Sequence, residues 1–452
     1  MKTLNRVERG RYLDSVALMR VSRRLAALPG VENAALMIGT PANKALLRDA
    51  GLLAAEGEAA GPNDLIVAVR AADPAAALAQ AGAFLEEKQP QAEGVRRART
   101  FAAAQALEPR ANLAIVSVPG AYAAHEARKA LAAGLNVLVF SDNVPIEEEV
   151  ALKSFASQKK LLLMGPDCGT ALIGGTPIAF ANAVPRGDIG LVSASGTGLQ
   201  EVSTLIARLG GGVSHGIGVG GRDLDERVGG LATLAALDAL AQDPGTRRIV
   251  LISKPPAPAV ARKVLERAKQ SGKPFVACFL GSSEPGVAKT LTEAAERAAE
   301  RKLPSENFSV KKRPGALRGL FCGGTLCTEA ELIVGSRKGD AFLDLGDDEY
   351  TRGRPHPMIE PELRNAHIAE AVKDPAVGVL LDDLVLGFGA HENPAGVLAA
   401  NDFKGRTVIA SVTGTEQDPQ GWSRQAAILR AAGIVVAPSN ARAAELAASV
   451  RQ

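Results

Sequence analysis

An α/β fold with parallel sheets is predicted, and three observations predict it. Short apolar runs alternate with alanine-rich amphipathic stretches, the runs end in turns of glycine, serine and proline, and the alternation persists almost throughout the chain. Strand, helix, strand at this spacing argues for parallel sheets covered on both faces. Taken in order, DSVALMRVSRRLAAL (14–28) is helix-like and VENAALMIG (31–39) strand-like, so residues 1–90 read as a small N-terminal α+β unit. LAIVSV (113–118), NVLVFSD (136–142) and KLLLMG (160–165) are strand candidates, with the helix-like AAHEARKALAAG (123–134) between the first two. Residues 91–186 therefore read as a doubly wound unit. IGLVSAS (189–195), RIVLISK (248–254) and PFVACFL (274–280), with the helix-like APAVARKVLERAKQSG (257–272), make 187–303 a second unit. RKLPSENFSVKKRPG (301–315) is polar, basic and proline-marked, which places a linker at 304–315. Residues 316–452 form a third α/β unit.

The bulk numbers agree. A chain of 452 residues, 46% hydrophobic, suits about three domains of roughly 150 residues each. With 52 basic and 49 acidic residues the net charge is +3, which leaves no electrostatic footprint for nucleic acid. Aromatic residues are 4%, too few for base-stacking platforms. Cys168, Cys278, Cys322 and Cys327 form no CxxC pair and keep no histidine cluster beside them, so reduced thiols and no metal site are expected. No apolar run approaches the ~20 residues that span a bilayer, and MKTLNRVERGRYLD lacks the apolar core of a secretory signal. A cytoplasmic protein with no membrane and no nucleic-acid partner is the expectation.

One device occurs twice. IGLVSASGTGLQEVSTLI and RGLFCGGTLCTEAELI each run from an apolar strand through tiny residues to Gly-Thr, then into a helix with Glu four residues after Thr. Gly196, Thr197 and Glu201 match Gly324, Thr325 and Glu329. The first amides of a helix lack intrahelical acceptors and lie at the positive end of its dipole, so such a turn suits an anion. Ser195, Gly196, Thr197 and Gly198 in the first turn, and Gly323, Gly324 and Thr325 in the second, are the candidate anion-binding residues. The plainer alternative is that glycine serves only the tight βα turn. Gly220, Gly221 and Arg222 after HGIGV, and Lys254 after RIVLI, fall on strand ends, where ligands of parallel sheets sit. Lys254 and Arg222 are candidates to neutralise an oxyanion, against the alternative of solvated surface charges. The loop Tyr350-Thr351-Arg352-Gly353-Arg354-Pro355-His356-Pro357-Met358 offers Arg354 to a carboxylate or phosphate and His356 as a general acid/base or as a proline-flanked structural histidine. Acids beside it, in Asp344-Leu345-Gly346-Asp347-Asp348, suit salt-bridge partners.

GPDCGT, ALIGGTPIAFANAVPRGDIGLVSASGTG and GIGVGGRDL resemble the succinyl-CoA synthetase alpha-subunit superfamily. DSVALMRVSRRL, MIGTPANKALL, FSDNVPIEEE, SKPPAPAV, DLGDDEYTRGRPHPMIEP and VTGTEQDPQ resemble its FdrA-type branch, from residue 14 to residue 420. The resemblance implies a Rossmann-like, CoA-binding-type domain followed by two flavodoxin-like ligase domains. In the synthetases two helix N-termini hold a phosphohistidine, and Ser195, Gly196, Thr197, Gly324 and Thr325 fall on those positions. The sequence also departs from the synthetases. CFLGSSEPGVAK (278–289) holds no histidine where the phosphorylated one is expected, and Lys254 stands where the supporting glutamate falls. GVRRARTFAAAQALEPRAN (94–112) replaces the glycine-rich CoA loop, and no segment is left for an ATP-grasp domain.

Two functions follow from the resemblance, and a third reading, a regulatory or scaffolding subunit, is of a different class. The leading one is a subunit that transfers a carbamoyl or acyl group through an acyl-phosphate-type species, as in oxamate carbamoyltransferase chemistry of allantoin and purine catabolism. An ADP-forming acyl-CoA synthetase working with a nucleotide-binding partner is the second. The third is a non-catalytic regulatory subunit, with Thr40-Pro41-Ala42-Asn43-Lys44 as a sensing turn. Phosphate, carbamoyl phosphate or acyl phosphate is the expected substrate, CoA is left open as a cofactor, and partner subunits in an oligomer are implied.

Overall fold

The structure, a computed structural model, describes residues 1–11, 13, 15–86, 98, 100–304, 306, 308, 310, 312–335, 337–351 and 355–451. The chain divides into two compact units, residues 1–111 with 351–355, and residues 112–350 with 356–452.

The first unit runs β1 (Lys2–Glu8), α1 (Ser15–Ala26), β2 (Val31–Ile38), α2 (Pro41–Asp49), α3 (Ala55–Glu58), β3 (Leu65–Ala71), α4 (Pro74–Glu86) and α5 (Phe101–Leu107). Strand β3 is central and antiparallel to both neighbours, in the order β1-β3-β2. Its β-branched run LIVAVRA is buried on both faces. Leu65, Val67 and Val69 pack with residues of α1 and α4, while Ile66 and Ala68 pack with Leu47, Leu52 and Ala60, as the two-residue period of a strand requires. The turn expected at Thr40 is a helix cap. Thr40 Oγ1 accepts the Asn43 N–H at 3.3 Å, and Lys44 Nζ donates to the carbonyls of Glu58 and Ala60.

The second unit opens with β4 (Leu113–Val116), α6 (Gly120–Ala132), β5 (Asn136–Val139), α7 (Ile146–Gln158) and β6 (Leu163–Met164), whose strands form a parallel sheet in the order β4-β5-β6. A hairpin follows, β7 (Thr170–Ile173) and β8 (Thr176–Ala179), turned by Gly174 and Gly175 at φ 61° and 83°. Next come β9 (Arg186–Ser193), α8 (Gly196–Arg208), β10 (Val213–Gly218), α9 (Leu231–Gln242), β11 (Arg248–Ser253), α10 (Pro258–Gln270), β12 (Phe275–Phe279) and α11 (Leu291–Ala299). Strands β9 to β12 are parallel, and the hairpin joins them at the edge, in the order β12-β11-β9-β10-β7-β8. The sheet therefore crosses the boundary expected at 186/187, because β7 pairs with β10 rather than with β6.

The last sheet comprises β13 (Ala316–Phe321), β14 (Ala341–Asp344), β15 (Val377–Val385), β16 (Thr407–Thr413) and β17 (Val435–Ala437). It is wholly parallel, in the order β14-β13-β15-β16-β17. Its helices are α12 (Gly324–Val334), α13 (Asp348–Thr351), α14 (Leu363–Ala371), α15 (Pro394–Ala399), α16 (Trp422–Ala431) and α17 (Asn440–Val450). One apolar core joins both large sheets: Leu191, Val250, Leu317, Val379 and Leu381 pack with residues of α8, α11, α12 and α17. Those four helices are a shared layer between the sheets.

Two carboxylates cross that layer reciprocally. Glu201 on α8 accepts the Asn440 N–H that starts α17, at 3.0 Å, and the Thr413 hydroxyl. Glu329 on α12 accepts the Leu291 N–H that starts α11, at 2.6 Å, and Asn440 Nδ2 at 2.8 Å. Each is 1% exposed. The Glu of each repeat thus caps the last helix of the other sheet, meeting amides that a helix leaves unpaired. Burial raises both carboxyls, Glu329 from 4.5 to about 7. The folded chain then keeps a proton that the unfolded chain releases. That stabilisation is complete below pH 4.5 and is lost as pH rises to about 7, by about 3 kcal/mol. Asp382, buried and raised to about 7, adds the same sign. Urea midpoints measured at pH 5 and pH 8 are expected to fall with pH, and to fall less in Glu329→Gln; an equal fall in both proteins contradicts this account.

Candidate functional site

Both Gly-Thr turns follow the first parallel strand of their own sheet, β9 and β13, at the point where the order of strands reverses. Crevices at such points, outside the carboxyl ends of the strands, are where α/β sheets bind ligands. The turn after β9 is built by serines. Ser193 Oγ accepts the Ser195 N–H at 3.1 Å and donates to the Ser195 carbonyl at 2.6 Å, which fixes the N-cap residue of α8. Ser195 Oγ accepts the Gly198 N–H at 2.9 Å. Gly198 is therefore spent on the cap. Gly196 lies close to Thr170: a β-carbon there would stand 3.1 Å from Thr170 Oγ1.

The turn after β13 is built differently. Asp383 of β15 accepts the Cys322 N–H at 2.7 Å and the Gly323 N–H at 2.8 Å, and Arg364 donates to the same carboxylate at 3.0 Å. The amide of Gly323 is thus taken by a protein carboxylate, which leaves Gly323 out of the expected anion set. Gly323 is the N-cap of α12 and no side chain caps that helix, so the first amides, from Gly324 onward, have no side-chain acceptor.

The two helix ends meet. Ser195 Oγ and Thr325 Oγ1 are 2.6 Å apart in a hydrogen bond between α8 and α12. Lys254, exposed in the turn after β11, reaches the same place. A β-carbon on Gly324 would lie 2.9 Å from Lys254 Nζ and 2.1 Å from Asp344 Oδ2. Gly324 thus serves close approach, and any side chain there would displace both charged groups. Asp344 Oδ1 accepts the Gly346 N–H at 3.1 Å. Its carboxyl is raised to about 6, chiefly by desolvation, against the pull of Lys254. The geometry assembles hydroxyls, uncapped amides, an ammonium and a carboxyl of raised affinity for protons where two helix ends meet. Such a set can grip an oxyanion and exchange a proton with it.

Other expected residues lie elsewhere. Arg222 donates to the Val144 carbonyl and pairs with Glu149 at 2.8 Å, so its charge is committed to a separate cluster. Gly220 has φ +87° and presses on the Pro166 carbonyl, and Gly221 beside it is exposed; neither joins the Ser195–Thr325 contact. His356 sits one layer behind Asp344, against Gly346. Burial lowers its imidazole to about 4 and Nδ1 accepts the Met358 N–H at 3.2 Å, surroundings that fit the packing alternative better than the general acid/base. Arg354 lies outside the described residues. All four cysteines are buried and free, and burial pushes Cys168 up to about 12. Asp383, Arg364 and the role of Asp344 were missed from sequence. Two aspartates inside the otherwise apolar VGVLLDDLV were the available signal, since buried acids need partners.

Two families match the chain. The one described as AllF, heavy metal-associated domain, matches residues 1–101, and the one described as CoA-ligase matches residues 320–450. The chain is 41% identical to the uncharacterized protein YahF of Escherichia coli (strain K12), over 96% of each chain. It is 27% identical to the succinate–CoA ligase [ADP-forming] subunit alpha 1 of Archaeoglobus fulgidus, over 43% of this chain and 69% of that one. A solved dinucleotide-forming acetyl-coenzyme A synthetase 1 from Ca. Korarchaeum cryptofilum is similar over 75% of this chain and 82% of its own, at 16% identity and a TM-score of 0.32. No helix among the described residues is long and apolar enough to cross a membrane. With its N-terminal and CoA-ligase segments both matched and a relative aligned over nearly its whole length, the chain belongs to the FdrA-type family of the succinyl-CoA synthetase alpha-subunit and ADP-forming acyl-CoA synthetase superfamily.

Proposed function

We propose that this chain is an enzyme subunit that transfers a carbamoyl group between nitrogen and phosphate, as in the interconversion of oxalurate and phosphate with oxamate and carbamoyl phosphate during allantoin breakdown. The observation that carries the reading is the 2.6 Å contact of Ser195 with Thr325, which brings two helix N-termini together, with Lys254 Nζ close to Gly324. The chain places a cation there, and residues 278–289 hold no histidine to be phosphorylated. A free phosphate is then the natural occupant. The uncapped amides and Lys254 bind its oxygens, and Thr325 and Ser195 orient it. A phosphate oxygen bonds to the carbamoyl carbon, the bond from that carbon to nitrogen breaks, and the proton of the phosphate passes to the departing nitrogen. Fixed donors and a cation that oppose the charge developing in such a step lower its barrier directly.

The chain with its partner subunits, supplied with oxalurate and inorganic phosphate, is expected to release carbamoyl phosphate, read by phosphorus NMR. No carbamoyl phosphate under these conditions sinks the reading.

The CoA-ligase match over residues 320–450 favours a second reading, an ADP-forming acyl-CoA synthetase with a nucleotide-binding partner. The stretch 94–112 lacks the glycine-rich CoA loop, and the turn after β4 has one glycine, Gly120, where a β-carbon would lie 2.2 Å from the Asp142 carbonyl. That glycine serves packing, and the residues present do not fit a pyrophosphate cradle. Acid-labile phosphate on a histidine after incubation with ATP would favour this second reading over the first.

A further inference from the structure

We propose that Asp344 is the proton carrier of this site, taking the proton of the attacking phosphate and delivering it to the nitrogen that leaves. The inference rests on the carbamoyl-transfer reading above and deepens it.

Placement comes first. Strand β14 ends at Asp344, and the Gly346 N–H holds Oδ1. Oδ2 is turned to Gly324, the first residue of α12, 2.1 Å from where a β-carbon would stand. It therefore lies at the helix end offered to the anion, and Lys254 Nζ approaches the same carbon.

Charge comes second. A carboxylate beside a phosphate dianion repels it, and the pair is tolerated when one proton lies between them. That shared proton turns repulsion into a hydrogen bond, the behaviour of like-charged acids forced together. Several groups face Asp344. Lys254 from the turn after β11 favours its charged form, while Asp383 from β15 and Asp347 from the following loop oppose it. Tyr350 of α13 and Cys327 of α12 also lie within its field. Desolvation outweighs Lys254 and holds the carboxyl at about 6, near enough to neutrality for it to accept and return a proton.

The neighbours do not compete for the task. The His356 imidazole is engaged through Nδ1 and held low by burial, and the Cys322 and Cys327 thiols are pushed up. Asp383 spends both oxygens on the amides of Cys322 and Gly323. In the forward step hydrogen phosphate gives its proton to Asp344 as its oxygen bonds to the carbamoyl carbon. The nitrogen leaves with the electron pair of the broken carbon–nitrogen bond and takes that proton. Asp344 ends as it began, and atoms and charge balance with no further reactant.

The test uses the full chain with its partner subunits, oxalurate and inorganic phosphate. Asp344→Asn keeps the acceptor for the Gly346 N–H. Its kcat is expected to fall by roughly 10²-fold or more while the KM for phosphate stays within about threefold. The acid limb near pH 6 in the wild-type rate is expected to vanish from the residual rate, and Asp344→Glu to restore part of kcat. A variant that keeps its kcat, or keeps the acid limb, overturns the inference and leaves carbamoyl transfer standing. A wild type that releases no carbamoyl phosphate brings down both. If Asp344→Asn does not fold by circular dichroism, Asp344→Glu carries the test: a displaced acid limb is expected, and an unmoved one overturns the assignment.

Discussion

Lys254→Met is expected to lower the phosphate-dependent rate by roughly 10²–10³-fold, the loss typical of removing one fixed charge-stabilising group from a reacting centre. The side chain leaves the carboxyl end of β11, between Ser253 and the prolines at 255 and 256, so its backbone is set by a strand on one side and by fixed φ angles on the other. It is exposed, and no hydrogen bond or ion pair ties its ammonium down among the described residues. Folding does not depend on it, so the urea midpoint should not move. The rate should depend on it heavily, because its Nζ stands over the first residue of α12 beside the uncapped amides. Saturating phosphate should not restore the rate, since the charge acts on the transition state as well as on binding. A Lys254→Met protein that keeps more than about a tenth of wild-type kcat/KM for phosphate removes Lys254 from the reaction.

Lys153→Met is expected to destabilise the second unit by about 3–5 kcal/mol, the cost of stripping one partner from a buried ion pair. Lys153 is fully buried, and its Nζ donates to Glu149 at 2.7 Å, Asp223 at 2.7 Å and the Val219 carbonyl at 3.0 Å. Asp223 in turn accepts the Ala232 and Thr233 amides at the start of α9. Removing the lysine leaves two carboxylates in low dielectric, with Arg222 compensating only Glu149. The cluster ties α7, which packs on the three-stranded sheet, to the loop after β10 of the six-stranded one. Urea unfolding followed by circular dichroism reads the loss. Adding Asp223→Asn to Lys153→Met should recover part of it, because the charge that Arg222 does not compensate is then gone. A single variant within about 1 kcal/mol of wild type would show that the cluster is solvated rather than desolvated.

Many strands were legible because apolar, β-branched runs bounded by small residues carry their own signal, as RIVLIS of β11 and NVLV of β5 do; the central LIVAVRA of β3 was not read. The two Gly-Thr turns were legible for a local reason too, since a helix start after a strand needs small residues and a cap. What Glu201 and Glu329 do was not legible. Their repeat spacing is visible, but Glu201 meets Asn440 across 239 residues, and no local pattern encodes such a partner. Arg222 failed for the same reason: its acceptor, Glu149, lies on α7, 73 residues earlier in the chain. The edge hairpin β7–β8 was assigned to the preceding unit although Gly174-Gly175 marks its turn, because pairing at a sheet edge is decided by the neighbouring strand, Gly216 against Leu172. Asp344 was visible only as an acid near a loop. Its meaning depends on the bare α-carbon of Gly324 beneath it.

The crossed glutamates bear on how the protein is encoded. Each half supplies, from its first helix, the acceptor that finishes the last helix of the other half, so neither half is saturated alone. The described residues of 304–315 take no part in that exchange; the Arg313 N–H bonds the Val450 carbonyl and Val310 packs against the shared core. Severed there, the two halves would meet as unlike subunits with the same crossed contacts, so one open reading frame or two adjacent ones can specify the same contact between Ser195 and Thr325.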